Sequence, residues 1–119
     1  MSETFVCQRA QADPLRIRRL QKDLRKFSEL DQWAELFFTL SHPLRLKIAF
    51  LLWREEELCV CDLSDVLEES VSGVSHQLRR MRQAGLLRRR REAQTIYYSL
   101  NWERLNKIGG FIFEEKEAA

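Results

Sequence analysis

The sequence predicts a mainly α-helical protein in which the helices are followed by a two-stranded β-hairpin. Apolar residues recur at helical spacing between Ile17 and Met81. Residues 86–100 instead contain two runs of strand-forming residues, and Gly85, which stands between the two patterns, is typical of a helix end. With 119 residues the chain has the length of one domain, which can build one modest core.

The N-terminal segment is predicted to be an arm followed by an amphipathic helix. Residues 1–13 show no apolar periodicity and are expected to form a mobile arm that carries Cys7. Asp13 followed by Pro14 is typical of a helix cap with proline in the first helical position. We therefore predict a helix within residues 14–30, with one apolar stripe formed by Ile17, Leu20, Leu24 and Phe27.

Two further helices are predicted in the next part of the chain. The apolar residues of the second helix are Trp33, Leu36, Phe37 and Leu40. Ser41-His42-Pro43 ends that helix and starts a third, Leu44 to Trp53, which is apolar on most sides and is expected to lie in the core. Because His42 precedes a proline, we interpret it as a turn or cap residue rather than a metal ligand.

The fourth and fifth helices are predicted to form a helix-turn-helix. The fourth is short, begins near two cysteines, and is marked by Leu63, Val66 and Leu67. A turn at residues 68–70 follows, and Ser70 is expected to cap the fifth helix. The residues that this fifth helix is predicted to bury are Val71, Val74, Leu78 and Met81. Two helices joined by so short a turn form the helix-turn-helix pattern.

The C-terminal part predicts a wing and a last helix. Residues 86–91 and 95–100 are expected to be two strands around Glu92-Ala93-Gln94, a tip without glycine. A helix-turn-helix followed by such a hairpin is a winged helix-turn-helix, which we assign to residues 31–100. The last helix, within residues 101–115, contains the apolar residues Leu105, Ile108, Ile112 and Phe113. Since no core is left for it, we expect it to pack with the first helix against a second subunit, which makes the protein a homodimer.

The distribution of charge indicates a phosphate-binding surface. Seven arginines lie between positions 79 and 91 with no acidic residue among them. A solvated arginine-rich face is the alternative interpretation. For base edges in the major groove we predict Ser72, Ser75, His76, Gln77 and Arg79. For phosphates we predict Arg80, Arg88, Arg89, Arg90 and Arg91.

The functional prediction depends most on Cys59 and Cys61. In a continuous helix, side chains at i and i+2 point about 200° apart, so the two thiols can share an ion only in a turn or at a helix start. The sequence has no signal-peptide pattern and no membrane-spanning apolar run, so we expect a cytoplasmic protein without a membrane partner. In that compartment three cysteines indicate free thiols or metal ligands rather than disulfides. The alternative is that Cys59 and Cys61 are small buried residues.

Four segments resemble the ArsR/SmtB winged-helix metal-sensing repressors. They are Leu58-Cys59-Val60-Cys61-Asp62-Leu63, Ser75-His76-Gln77-Leu78, Ala84-Gly85-Leu86-Leu87 and Tyr97-Tyr98-Ser99-Leu100. The resemblance implies a homodimer that binds operator DNA when metal-free and releases it when metal binds, so that a metal-resistance gene is derepressed. It also implies metal ligands at the start of the fourth helix and a cysteine from the arm of the opposite subunit. Cys7, Cys59 and Cys61 match these positions, which is closest to the cadmium- and lead-sensing CadC branch.

Two positions depart from the family pattern. Members of the CadC branch tend to offer a second arm ligand four residues after the first cysteine, where this chain has Gln11. A second, zinc-type site of the family uses Asp and His just after the second wing strand. Here that region reads Asn101-Trp102-Glu103-Arg104, and no histidine follows His76. We therefore predict that the zinc-type site is absent.

The predicted donor set favours soft ions. Three thiolates without an evident fourth ligand suit trigonal ions such as Pb(II), As(III) or Bi(III). Cd(II) fits if water, Asp62 or Gln11 completes its coordination shell. Zn(II) prefers four tetrahedral ligands and is expected less, although Asp62 could supply an oxygen.

Two other functions compete with a metal-responsive repressor. A thiol-redox repressor would keep the DNA-binding fold and respond to a disulfide formed by Cys59 and Cys61, or by Cys7. A small dithiol oxidoreductase has little support, because redox pairs are usually Cys-x-x-Cys on a βαβ scaffold. We therefore predict a repressor that acts at an imperfectly palindromic operator, and no enzyme.

Overall fold

The computed structural model describes residues 7–109, which form six helices and three strands. The helices are α1 (Pro14–Lys26), α2 (Glu29–Leu40), α3 (Pro43–Arg54), α4 (Val60–Leu67), α5 (Val71–Gln83) and α6 (Trp102–Gly109). The strands are β1 (Leu58–Cys59), β2 (Leu87–Glu92) and β3 (Thr95–Leu100). This order of elements confirms the predicted mainly helical, winged helix-turn-helix fold.

The first helix, α1, contributes nothing to the core. The Asp13 carboxylate accepts the backbone N–H of Arg16 at 3.1 Å, and Pro14 is the first helical residue, so the predicted cap is confirmed. No residue of α1 is buried. In its apolar stripe, Leu20 is 52% exposed and Leu24 is 64% exposed. A single chain therefore leaves this stripe open to solvent.

The break between α2 and α3 is stabilised by His42. Its Nδ1 accepts the backbone N–H of Leu44 at 3.2 Å, which confirms its interpretation as a cap residue. The expectation that α3 lies in the core is confirmed for its inner side, where Ile48, Ala49 and Leu52 are buried, whereas Leu46 and Phe50 on its outer side are exposed. Among residues 7–109 no single helix is long and apolar enough to cross a membrane. Helices α2 and α3 are long and apolar enough only when taken together, and they are bent by 103° relative to each other.

Helices α4 and α5 form the helix-turn-helix. Ser70 Oγ accepts the backbone N–H of Gly73 at 3.0 Å, so the predicted cap of α5 is confirmed. The residues of α5 that lie in the core are Val74, Leu78 and Met81. Val71, which was expected to be buried with them, is 49% exposed, because it is the first helical residue and precedes the turn that reaches the core.

Helix α5 ends at Gln83 and is terminated by a Schellman motif with Gly85 in the left-handed position. Gly85 has a φ of +80° and donates its N–H to the carbonyl of Arg82, while Leu86 donates to the carbonyl of Met81. A Cβ at Gly85 would lie 2.7 Å from Arg104 Nε. Both the backbone conformation and the close approach of Arg104 therefore favour glycine at the predicted helix end.

The predicted hairpin is part of a larger sheet. The three strands are antiparallel and lie in the order β1-β3-β2. β2 and β3 are joined by Ala93 and Gln94, and Ala93 has a φ of +55°. The prediction of two strands missed β1, which pairs Cys59 with Tyr97 and is too short to leave a periodic pattern.

The last described helix, α6, packs against α2. Its Leu105 is buried, which corrects the expectation that a C-terminal helix finds no core to fill. Trp102 is partly buried against the same core. Ile112 and Phe113, which were also assigned to this helix, lie outside the described residues, and the predicted packing of α1 and α6 against a second subunit stays a prediction.

Candidate metal site and nucleic-acid interface

The two paired cysteines lie at the start of α4. Cys59 is the last residue of β1 and the N-cap of α4, and its Sγ accepts the backbone N–H of Asp62 at 3.5 Å. Cys61 lies in the first helical turn and is exposed, while Cys59 is half-buried. The prediction that the pair sits at a helix start is confirmed, and both thiols are free.

One chain does not assemble the predicted three-thiolate site. Cys7 is an exposed free thiol that precedes α1. Within residues 7–109 no three side chains of the types His, Cys, Asp or Glu converge as metal ligands. The Cys59–Cys61 pair alone offers two soft sulfur donors, which suits a thiophilic ion but leaves its coordination incomplete.

The predicted base-reading residues lie on the outer side and flank of α5. Of these predicted residues, Ser72, His76 and Arg79 are exposed, and so is Arg80, which was predicted for phosphate. Ser75 and Gln77 are half-buried. Because the opposite side of α5 is in the core, this face is the one that a DNA groove can reach, and its contacts with bases stay a prediction.

Sequence reasoning missed Arg45, which holds Gln77. Arg45 Nε donates to the carbonyl of Thr39 at 2.6 Å, at the end of α2. Arg45 Nη1 donates to Gln77 Oε1 at 2.9 Å. Since a guanidinium only donates, the amide oxygen of Gln77 is fixed towards Arg45 and its NH₂ group is directed elsewhere. The only signal in the sequence was a basic residue in the first turn of α3, two positions after Pro43.

The four wing arginines divide between the two faces of β2. Successive strand residues alternate, so Arg88 and Arg90 project from one face, and Arg89 and Arg91 project from the other. All four side chains are exposed. Arg88 Nη2 lies 2.5 Å from Glu103 Oε2, so this arginine already has an acidic partner within the chain. Phosphate contacts of the wing stay a prediction.

Arg90 is held by the glutamate that precedes β1. Its Nε and Nη2 donate to the two carboxylate oxygens of Glu57 at 2.6 and 2.7 Å. Its guanidinium also lies 4.7 Å from the ring centroid of Tyr97. The hydrogen bonds from Arg90 and its positive charge lower the pKa of Glu57 below its usual value, and the same pair raises the pKa of Arg90.

Comparison with known proteins gives consistent matches. Residues 42–89 match the model of the arsR family of bacterial regulatory proteins. The chain is 39% identical over 93 residues to the cadmium resistance transcriptional regulatory protein CadC homolog of Staphylococcus aureus, covering 78% of this chain and 76% of that protein. It is 42% identical over 84 residues to the transcriptional repressor SmtB homolog of a Synechocystis species, covering 71% of this chain and 63% of that protein.

A solved structure gives the same fold. It is the homodimeric winged helix-turn-helix DNA-binding domain of a possible ArsR-family transcriptional regulator from Mycobacterium bovis. The TM-score is 0.61 at 27% sequence identity. The similarity covers 74% of this chain and 81% of that one.

Proposed function

The chain belongs to the arsR family of bacterial regulatory proteins, and on that basis we propose that it is a metal-responsive repressor. As predicted, it is a transcriptional regulator and not an enzyme. It acts in the cytoplasm as a homodimer that binds operator DNA in the metal-free state. A soft ion, Cd(II) or Pb(II) first, binds its cysteine thiolates and releases the DNA, so that a metal-resistance gene is derepressed.

The position of Cys59 carries this proposal. Cys59 is both the last residue of β1 in the wing sheet and the cap of α4, the helix before α5. An ion bound at Cys59 and Cys61 therefore acts on the point where the sheet and the helix-turn-helix meet. A change at this point alters the relative orientation of the wing and α5, the two elements that must dock on DNA together.

The exposed basic face of α5 and the wing supports DNA as the partner. Arg79 and Arg80 are exposed on α5, and four arginines are exposed on β2. In a dimer, two α5 helices about one helical turn of DNA apart would enter successive major grooves. The operator is then an imperfect palindrome.

The third thiolate is proposed to come from Cys7 of a second copy. Cys7 does not converge with Cys59 and Cys61 in one chain, so a three-sulfur site needs a contribution from outside this arrangement. A metal titration followed by ultraviolet sulfur-to-metal charge-transfer absorption tests the donor set. We expect strong bands with Cd(II) or Pb(II) that weaken in Cys7→Ser, Cys59→Ser and Cys61→Ser.

Mixed dimers test whether the site is shared between subunits. A dimer of one Cys7→Ser chain and one Cys59→Ser chain keeps one complete site if ligands come from both subunits, and none if they come from one. We therefore expect the mixed dimer to recover about half of the absorption that both parent dimers lack. Recovery of none would show that Cys7 does not act across the interface.

DNA release distinguishes the metal response from a redox response. The duplex is selected by the metal-free protein from a random pool, and its binding is followed by fluorescence anisotropy. We expect release by Cd(II) or Pb(II) under reducing conditions. Cys59 and Cys61 are free thiols that peroxide can oxidise, so the same binding measurement is repeated with peroxide in place of metal. Release by peroxide and not by metal would favour the thiol-redox repressor instead.

A further inference from the structure

Three side chains form a row across the wing sheet. Cys59 faces Tyr97 in the β1–β3 pairing, and Tyr97 faces Arg90 in the β3–β2 pairing. Directly opposed residues of antiparallel strands project from the same face of the sheet. The row therefore runs from a proposed metal ligand, through an aromatic ring, to a proposed phosphate contact.

At one end of this row, Arg90 is paired with Glu57. All three nitrogens of Arg90 have carboxylate partners: Nε and Nη2 donate to Glu57, and Nη1 donates to Glu92 at 3.4 Å. Glu57 lies two residues before Cys59 and is less exposed than Arg90 in the same ion pair. For Arg90 to give its bidentate N–H pair to a DNA phosphate, it must leave Glu57.

We propose that Glu57 is a positioning residue that withholds Arg90 from DNA, and that metal capture at Cys59 strengthens this hold. The proposal rests on the function proposed above. A metal ion on Cys59 restrains β1 and with it Glu57, the residue immediately before this strand. The restrained carboxylate then retains Arg90 on the sheet, and the DNA-bound arrangement, which needs Arg90 released, is disfavoured. This gives the direction expected of a repressor that metal releases from DNA.

Glu57→Gln tests the proposal, and Glu56→Gln is its matched control. Both substitutions remove one negative charge from adjacent positions, but Glu56 is exposed and is not part of the Arg90 pair. Affinity for a selected duplex is measured by anisotropy with metal-free and Cd(II)-saturated protein. Since exposed ion pairs are weak, we expect Glu57→Gln to raise metal-free affinity about two- to fivefold more than Glu56→Gln does.

Two further measurements separate positioning from a general effect of charge or folding. The metal-induced loss of DNA affinity should be smaller in Glu57→Gln than in wild type, while Cd(II) affinity from charge-transfer absorption is unchanged. In an Arg90→Gln background, Glu57→Gln should have no further effect beyond that of Glu56→Gln.

The outcomes distinguish this inference from the proposed function. Equal gains from Glu57→Gln and Glu56→Gln, or an unaltered metal response, would overturn the role of Glu57 while leaving a metal-responsive repressor intact. A wild-type protein that binds no duplex from the pool, or that holds DNA equally with and without metal, would overturn both.

Discussion

Cys59 has a structural task and a proposed metal-binding task that substitutions can separate. Its sulfur caps α4 through the N–H of Asp62. Serine keeps a capping oxygen but no thiolate, whereas alanine removes both. We expect Cys59→Ala to lower the free energy of unfolding by at most about 1 kcal/mol and Cys59→Ser to leave it unchanged or raised, because sulfur is a weak acceptor.

Chemical unfolding and metal titration check this separation together. Both variants should lose the same part of the sulfur-to-metal absorption, although only Cys59→Ala is destabilised. If serine destabilised the protein as much as alanine, the sulfur would not be acting as a cap.

Arg45 is expected to matter for DNA binding although it was not predicted to touch DNA. It fixes the amide of Gln77, and its loss frees that side chain. We expect Arg45→Met to weaken DNA binding by about 1 kcal/mol, roughly fivefold, beyond the effect of Lys47→Met. Lys47 lies on the same helix, is exposed, and loses the same charge. Equal losses in anisotropy titrations would assign the effect to net charge and remove any role for the contact with Gln77.

Individual contacts were predictable only where they are local. The caps at Asp13 and Ser70 bond to residues three positions away, so residue type and spacing are sufficient to find them. The contacts Arg45–Gln77 and Glu57–Arg90 join residues 32 and 33 positions apart. No spacing rule places such residues together, because the packing of whole helices and strands decides which of several arginines meets which acceptor.

At the scale of elements, the wing turn is strained at Ala93. Its φ of +55° is a conformation that glycine adopts without penalty. A non-glycine residue in this conformation costs about 1–3 kcal/mol. Glycine removes that cost, but part of the gain is lost because glycine has more conformational freedom in the unfolded chain. We therefore expect Ala93→Gly to raise the free energy of unfolding by about 1 kcal/mol.

Gln94→Gly is the control for the wing turn. Gln94 is the other residue of the turn and has no positive φ, so glycine there should only destabilise, by about 0.5–1 kcal/mol. Both variants are compared by thermal unfolding. A stabilisation by Gln94→Gly, or none by Ala93→Gly, would contradict the backbone conformation of the turn.

Elements were predictable in proportion to their length. The starts of α1, α3 and α5 and the end of α5 lie near the predicted residues, because caps, prolines and Gly85 mark them. The predicted limit of the first helix at residue 30 is wrong: α1 ends at Lys26 and α2 begins at Glu29, and no proline or glycine marks this break. β1 has two residues and no period, so its pairing with β3 could not be foreseen. That pairing connects Cys59 to the wing. The link between the proposed metal site and the proposed DNA-binding wing could therefore not be predicted from the sequence alone.

At the scale of the whole molecule, one chain is extended. Its radius of gyration is 20.0 Å, whereas a compact domain of this length has about 13 Å. The extension includes α1, which buries no residue. An amphipathic helix is stabilised mainly by the packing of its apolar stripe. We therefore expect α1 to be stable only when another surface covers that stripe. A second copy is the partner that the proposed function requires.

Leu20→Glu is expected to disrupt that dimer, and Lys22→Gln is its control. Both change the charge by the same amount, but residue 22 lies on the opposite side of α1 from the stripe. Burying a leucine contributes about 1.5–3 kcal/mol, and a symmetric interface contains each substitution twice, so the dissociation constant should rise at least about 100-fold. Sedimentation should give twice the 14.2 kDa chain mass for wild type and Lys22→Gln, and the monomer mass for Leu20→Glu.

DNA affinity should fall in Leu20→Glu together with the loss of the dimer, because the single α5 helix of a monomer cannot occupy two half-sites. A dimeric Leu20→Glu protein, or a monomeric wild type that binds a palindrome at full affinity, would show that α1 does not hold the subunits together.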